Sequence, residues 1–157
     1  MKKRTKALAV AAIAILTLSI SSCDLYTEDP IEIMGTWMDP LYGSTIIVTE
    51  DGIDFGYYQA DFSNHSNEKW NAGESSLATG DFGFAVIRYT SAPPWNPDLL
   101  GKYMVFRWKD FDSGSGLLSF SEGYNNGTYF EDELTACAEA TDAAGYFSMY
   151  TVGAEKQ

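Results

Sequence analysis

Residues 44–62 read STIIVTEDGIDFGYYQADF. Thr45, Ile46, Ile47, Val48 and Thr49 are β-branched, a side-chain type that packs well on a pleated surface and loses rotamer freedom in a helix. Asp51-Gly52 follows, the strongest hairpin signal in the chain, because both central positions of a tight hairpin turn favour φ > 0. Beyond it, Ile53, Phe55 and Tyr57 alternate with Asp54, Gly56 and Tyr58, the period-two pattern of a half-buried strand. The stretch predicts two antiparallel strands, over 44–50 and 53–62, joined at Asp51-Gly52.

The same grammar extends in both directions. Residues 31–38 (IEIMGTWM) suit a strand with Gly35 inside it, ended by a turn cluster over 39–43. Residues 63–69 read as a polar loop, 70–79 as a weak strand and Gly80-Asp81 as a turn. Strands are predicted over 82–90 (FGFAVIRYT), 102–109 (KYMVFRWK) and 117–122 (LLSFSE). Residues 91–101 hold three of the five prolines, so they form a long loop and not a central strand. Residues 110–116 (DFDSGSG) read as a turn. Then the period changes. Thr128 and Glu131 are spaced as a capping box, Asp132 and Glu133 suit a first helical turn, and Phe130, Leu134, Cys137, Ala138 and Thr141 form an apolar helical stripe. Gly145 is placed to stop this helix, and 146–152 can supply a last strand. A meander of short strands must close or be covered to protect its edges. The fold class expected is all-β: a small antiparallel up-and-down barrel of about seven to eight strands with one C-terminal helix.

The first 22 residues read as an address. Lys2, Lys3, Arg4 and Lys6 precede an apolar run over residues 7–20, which is too short to span a membrane and suits a signal peptide. It ends in Ile20-Ser21-Ser22-Cys23. A small residue directly before Cys resembles the lipobox of bacterial lipoprotein precursors. That resemblance implies cleavage before Cys23, diacylglycerol on its thiol, and a tether to the membrane without threading through it. The organisation expected is a signal peptide over 1–22, a lipidated N-terminus and tether over 23–30, and one domain over 31–157. The location expected is the cell envelope, on a periplasmic or surface face.

Processing sharpens the charge. Of 157 residues with formal charge −12, residues 23–157 keep all 22 acidic side chains and only six of the ten basic ones, which gives −16 on 135 residues. Such a domain repels polyanions, so nucleic acid is excluded as a partner. Cys137 is then expected to be the only free thiol, acting as a small buried hydrophobe.

Gly35-Thr36-Trp37, about a dozen residues into the processed chain, resembles the Gly-x-Trp opening of lipocalin-like barrels. The whole chain also resembles the short acidic spirochaete-type lipoproteins that carry a lipocalin-like domain. The resemblance implies eight strands followed by a helix and one further strand, with Trp37 closing one barrel end and Arg107 as the late arginine packed on it.

Motifs for chemistry are few. His65 is the only histidine, so a histidine zinc site or a Ser-His-Asp triad has no second histidine to draw on, and solvation in a loop accounts for it. Asp110-x-Asp112-x-Gly114 starts like a calcium loop but carries Ser115 and Ser121 where that loop needs Gly and Glu. No metal, cofactor, catalytic residue or enzymatic role is expected. Aromatic residues are 15% of the chain. Tyr57, Phe84, Tyr103, Phe106 and Trp108 are candidates to line a site for a small apolar ligand, and Trp95, between prolines, is a candidate loop contact. The expected function is a membrane-anchored lipoprotein whose barrel binds a small hydrophobic molecule. The alternative is an envelope interaction or structural lipoprotein with a filled core. The sequence names no protein partner.

Overall fold

A computed structural model describes residues 30–67, 83–141 and 144–157. The leader, Cys23 with its tether, the weak strand at 70–79 and the turn at Gly80-Asp81 lie outside them. The described strands are β1 (Gly35–Met38), β2 (Thr45–Val48), β3 (Gly52–Asp54), β4 (Gln59–Ser66), β5 (Gly83–Tyr89), β6 (Tyr103–Asp112), β7 (Leu117–Glu122) and β8 (Thr151–Lys156). One helix, α1 (Glu133–Glu139), lies between β7 and β8. Every neighbouring pair is antiparallel and β8 pairs with β1, so the eight strands form a closed up-and-down barrel. The expected all-β barrel with one helix is the observed fold. The helix precedes the eighth strand here, whereas the family resemblance implied eight strands before it.

The hairpin at 44–62 forms, but it is two hairpins. The first turn is closed by Thr49, whose N–H donates to Gly52 O at 2.9 Å and whose Oγ1 accepts from Gly52 N at 3.1 Å. Neither Asp51 nor Gly52 has positive φ. Gly52 is required for space: a Cβ there would stand 2.2 Å from Ala60 O. The second turn interrupts the predicted strand 53–62. Gly56 takes φ 86°, and its N–H donates to Asp54 Oδ1 at 2.7 Å. This reversal puts Tyr57 at the tip, 74% exposed, and turns Tyr58 toward the barrel.

Other boundaries also moved. Residues 31–34 are a turn, and the Ile31 and Ile33 side chains are buried at one barrel end. His65, expected in a loop, lies on β4 opposite Ala85, because β4 continues through a bulge between Phe62 and Asn64. β6 runs to Asp112, so the predicted turn over 110–116 shrinks, and Asp112 Oδ1 accepts from Gly114 N at 2.8 Å. The capping box at Thr128 and Glu131 does not start the helix. Phe130 instead bridges to Tyr103, and Asp132 is the N-cap, its carboxylate accepting from Thr135 N at 2.9 Å. The buried helix face is Ala136, Cys137 and Ala140, while Leu134 is 64% exposed. Cys137 is buried as expected, but it is disulfide-bonded and not a free thiol.

Directly opposed residues in an antiparallel pair share a face. The pairs Gly83–Trp108, Ala85–Phe106 and Ile87–Met104 therefore point one way, and Phe84–Arg107 and Val86–Val105 the other. The first set fills the barrel. Phe106 meets Phe55 at 6.1 Å, stacks on Phe120 at 5.7 Å and touches Trp108 at 6.3 Å. The second set faces outward under α1, which packs on β6 and β5. This second layer is why β5 is buried on both faces along most of its length.

One end of the barrel is plugged. Trp37 is fully buried and donates from Nε1 to Ile33 O at 2.7 Å, and Trp108 Nε1 donates to Glu32 Oε1 at 2.7 Å. Gly35, at φ 143°, lets Lys156 pass where a Cβ would stand 2.8 Å from Lys156 Cε. The Lys156 ammonium lies 5.5 Å from the Trp37 ring centroid. The cation over Trp37 is thus Lys156. Arg107, expected there from the family resemblance, lies on the outer face with its guanidinium 4.1 Å from the Phe147 ring, because odd-numbered residues of this part of β6 point out of the barrel.

Gly83 sits under the Trp108 ring, where a Cβ would lie 2.0 Å from the indole. The ring cannot swing away without losing its bond to Glu32. Gly83→Ala is expected to lower stability by about 1–3 kcal/mol, the usual range for overpacking a well-filled core. Urea unfolding followed by tryptophan fluorescence checks this, and an unchanged midpoint would show that the ring has room to move.

Candidate functional site

At the end of the barrel opposite the Trp37 plug, three connections converge: 55–58 between β3 and β4, 90–102 between β5 and β6, and 123–150 between β7 and β8. Tyr58, Pro93, Trp95, Leu99, Glu122 and Tyr129 border a cavity of about 250 Å³ among them. The chain places these side chains for local reasons. The turn at Gly56 projects Tyr58, and a short 3-10 turn over Pro97–Leu99 folds the proline-rich connection so that Leu99 is buried. Glu122 is the last residue of β7 and is paired with Phe106, which sets it on the inward face.

Glu122 is held by two phenols. Tyr58 Oη donates to one carboxylate oxygen at 2.5 Å, and Tyr89 Oη donates to the other. Among the described residues no lysine, arginine or histidine pairs with Glu122, and none borders the cavity. Removal from water pushes the Glu122 carboxyl above its ordinary range, and the two phenolic bonds only partly oppose that rise. Burial, followed by the negative charge of Glu122, raises Tyr58, Tyr89 and Tyr129 in turn. The phenols therefore stay protonated and keep donating at neutral pH.

The rings form a continuous path inward. Tyr58 stacks on Phe55 at 4.7 Å, and Phe55 meets Phe106 at 6.1 Å. Tyr89 lies edge-on to Tyr129 at 5.6 Å, and Trp95 meets Tyr57 at 5.5 Å on the rim. The open volume is thus confined to the mouth, above a filled axis.

Phe106 and Trp108 do touch each other inside the barrel, but they belong to its packed column. Phe84 and Tyr103 face outward, on the opposite side of the sheet from Phe106, because they fall at the other parity of their strands. Tyr57 stands on the rim and Trp95 is 68% exposed beside the cavity. Cys23 lies outside the described residues. Glu122, Tyr129 and Tyr124 were not among the sequence candidates, and Tyr58 and Tyr89 counted only as aromatic density. The signal for Glu122 was present: Leu118, Phe120 and Glu122 share one parity of a strand, and a carboxylate on an apolar face is informative.

No known family, curated protein or solved structure matches the chain.

The raised Glu122 carboxyl fixes a sign. The folded state holds a proton that the unfolded state releases, so stability declines as pH rises from the ordinary carboxylate range through the raised one. Glu122→Gln removes that penalty while keeping a side chain of the same shape. The variant is expected to equal or exceed the parent in stability at about pH 7, with its advantage disappearing at about pH 4. Urea midpoints at the two pH values check this, and a loss of stability confined to the neutral condition would contradict it.

Proposed function

We propose that this chain is a lipid-anchored protein of a bacterial cell envelope, built on a lipocalin-like barrel that binds a small, largely apolar molecule, and that it is not an enzyme. The supporting observation is the position of the cavity. One end of the barrel is plugged by Ile31, Ile33 and Trp37, and the other carries an aromatic-walled space among three loops. An engineered cavity of about 150 Å³ takes up benzene, so about 250 Å³ suits a molecule of roughly ten heavy atoms. The ligand sits at the mouth in this reading and not along the axis, which aromatic side chains occupy. The basic, apolar and small-residue order ending at Cys23 supports the anchor.

Native mass spectrometry and titration with a hydrophobic dye test the binding role, using residues 23–157 secreted without lipidation. A bound small molecule, or dye uptake that Trp95→Ala weakens, is the expected outcome. Absence of both would sink it.

The anchor has its own test. Cys23 is the only other cysteine in the sequence, and a sulfur in a disulfide cannot also carry diacylglycerol. Mass spectrometry of protein extracted from membranes is expected to show diacylglycerol on Cys23, so that a disulfide at Cys137 must reach another chain. A chain whose two cysteines are joined to each other would overturn the anchor.

A second reading has support of its own. Trp95 and Tyr57 form an exposed aromatic pair on the rim, and Leu41, Tyr42 and Leu100 are exposed on connections at the same barrel end. That rim suits an envelope interaction protein. Affinity capture from envelope extracts, repeated with Trp95→Ala, separates the readings: partners lost with the variant favour interaction, and unchanged capture counts against it.

A further inference from the structure

We propose that the mouth cavity is a receptor for a small organic cation, a primary or quaternary ammonium carried on an apolar body, with Glu122 as its counter-ion and Tyr58, Trp95 and Tyr129 as its walls. This rests on the small-ligand reading above and names the class of ligand.

Three observations carry it. The first is an uncompensated charge. A carboxylate taken from water is costly unless an opposite charge meets it, and no basic side chain among the described residues does so. The second is unused capacity. An ionised carboxylate offers about four acceptor positions, and Tyr58 and Tyr89 occupy one on each oxygen. A primary ammonium donates into such positions, a quaternary one meets the carboxylate by charge alone, and in both the ligand's desolvation is offset by the same carboxylate. The third is the wall. Aromatic faces carry negative electrostatic potential, so rings around a cavity favour a cation over a neutral molecule of equal size. The charge of −16 on residues 23–157 acts in the same direction at longer range. A metal ion is a poorer occupant, since among the described residues no cluster of three or more His, Cys, Asp or Glu stands ready to ligate one.

The reading also gives a pH response. The titratable groups facing Glu122 are Tyr58 from the β3–β4 turn, Tyr89 from β5, and Tyr124 and Tyr129 from the β7–β8 connection; the β5–β6 connection contributes only Trp95, Asn96 and neutral apolar residues to the cavity. Among the described residues no other carboxyl and no imidazole borders the cavity, so protonation of Glu122 is what switches the site off as pH falls.

Isothermal titration of the processed chain tests the proposal with two matched pairs: phenethylammonium against phenethyl alcohol, and choline against its neutral dimethylbutanol isostere. At least one cation is expected to bind about tenfold or more tightly than its neutral partner, as charge-assisted hydrogen bonding and cation–π contact together imply. Glu122→Gln is expected to erase that preference and its pH dependence. Trp95→Ala, at an exposed position where folding is not at stake, is expected to weaken the cation about threefold to tenfold. Equal or tighter binding of the neutral partners, or a preference that survives Glu122→Gln, overturns the cation proposal and leaves small-ligand binding standing. Dye uptake without any cation binding has the same consequence. Failure of dye and cations alike overturns both readings.

Discussion

The seam between β1 and β8 is the constraint on which the rest depends. It is short: Trp37 faces Lys156, Met38 faces Glu155, and Gln157 N donates to Thr36 O at 3.0 Å. Without it the sheet has two open edges and no fixed inside. With it, each strand acquires one parity that points inward. An eight-stranded barrel has an interior just wide enough for side chains or one small ligand. Here the inward parity supplies Phe106, Trp108, Phe120 and Leu118, and those side chains use the axial space. Closure and aromatic content together push any open volume to the end that no plug covers.

The helical connection gives the barrel a partial second layer. Between β7 and β8 the chain lays α1 over β6 and β5, and Phe147 caps Arg107. The Arg107 guanidinium is fully buried because this connection covers the outer wall, and the Phe147 ring face offsets part of its desolvation cost. The same connection begins at Glu122 and carries Tyr124 and Tyr129 to the cavity. One segment thus covers the outer wall and completes the mouth, which links the position of the site to the packing of the helix.

Glu122 is where local rules are broken. A carboxylate on the inward face of an apolar strand lowers stability unless its charge is answered, and two phenols answer only its hydrogen-bonding capacity. Departures of this kind cluster at functional sites, where stability is given up for binding. Elsewhere the described interior follows ordinary packing logic, down to Gly83 making room for the Trp108 ring.

The sequence by itself determined the class of structure and most of its strands. The apolar and aromatic runs at 82–90, 102–109 and 117–122 needed no tertiary help, because such side chains suit a pleated surface whatever packs on it. Proline density alone made 91–101 a loop. Tertiary structure decided what periodicity cannot carry. The pattern at 53–62 stays continuous through Gly56, yet the strand breaks there because β4 must return to pair with β3. Ile31 and Ile33 look like strand residues but serve as a plug, since the barrel end needs apolar cover more than another ladder. The bulge between Lys109 and Asp112 and the start of α1 at Asp132 likewise answer to closure. The site was read only as aromatic excess, although the shared parity of Leu118, Phe120 and Glu122 also pointed to it. Its members come from β5, β7 and three connections distant in the chain, and a period of two assigns residues to a face without saying which face is inside. That choice was made when the first strand met the last.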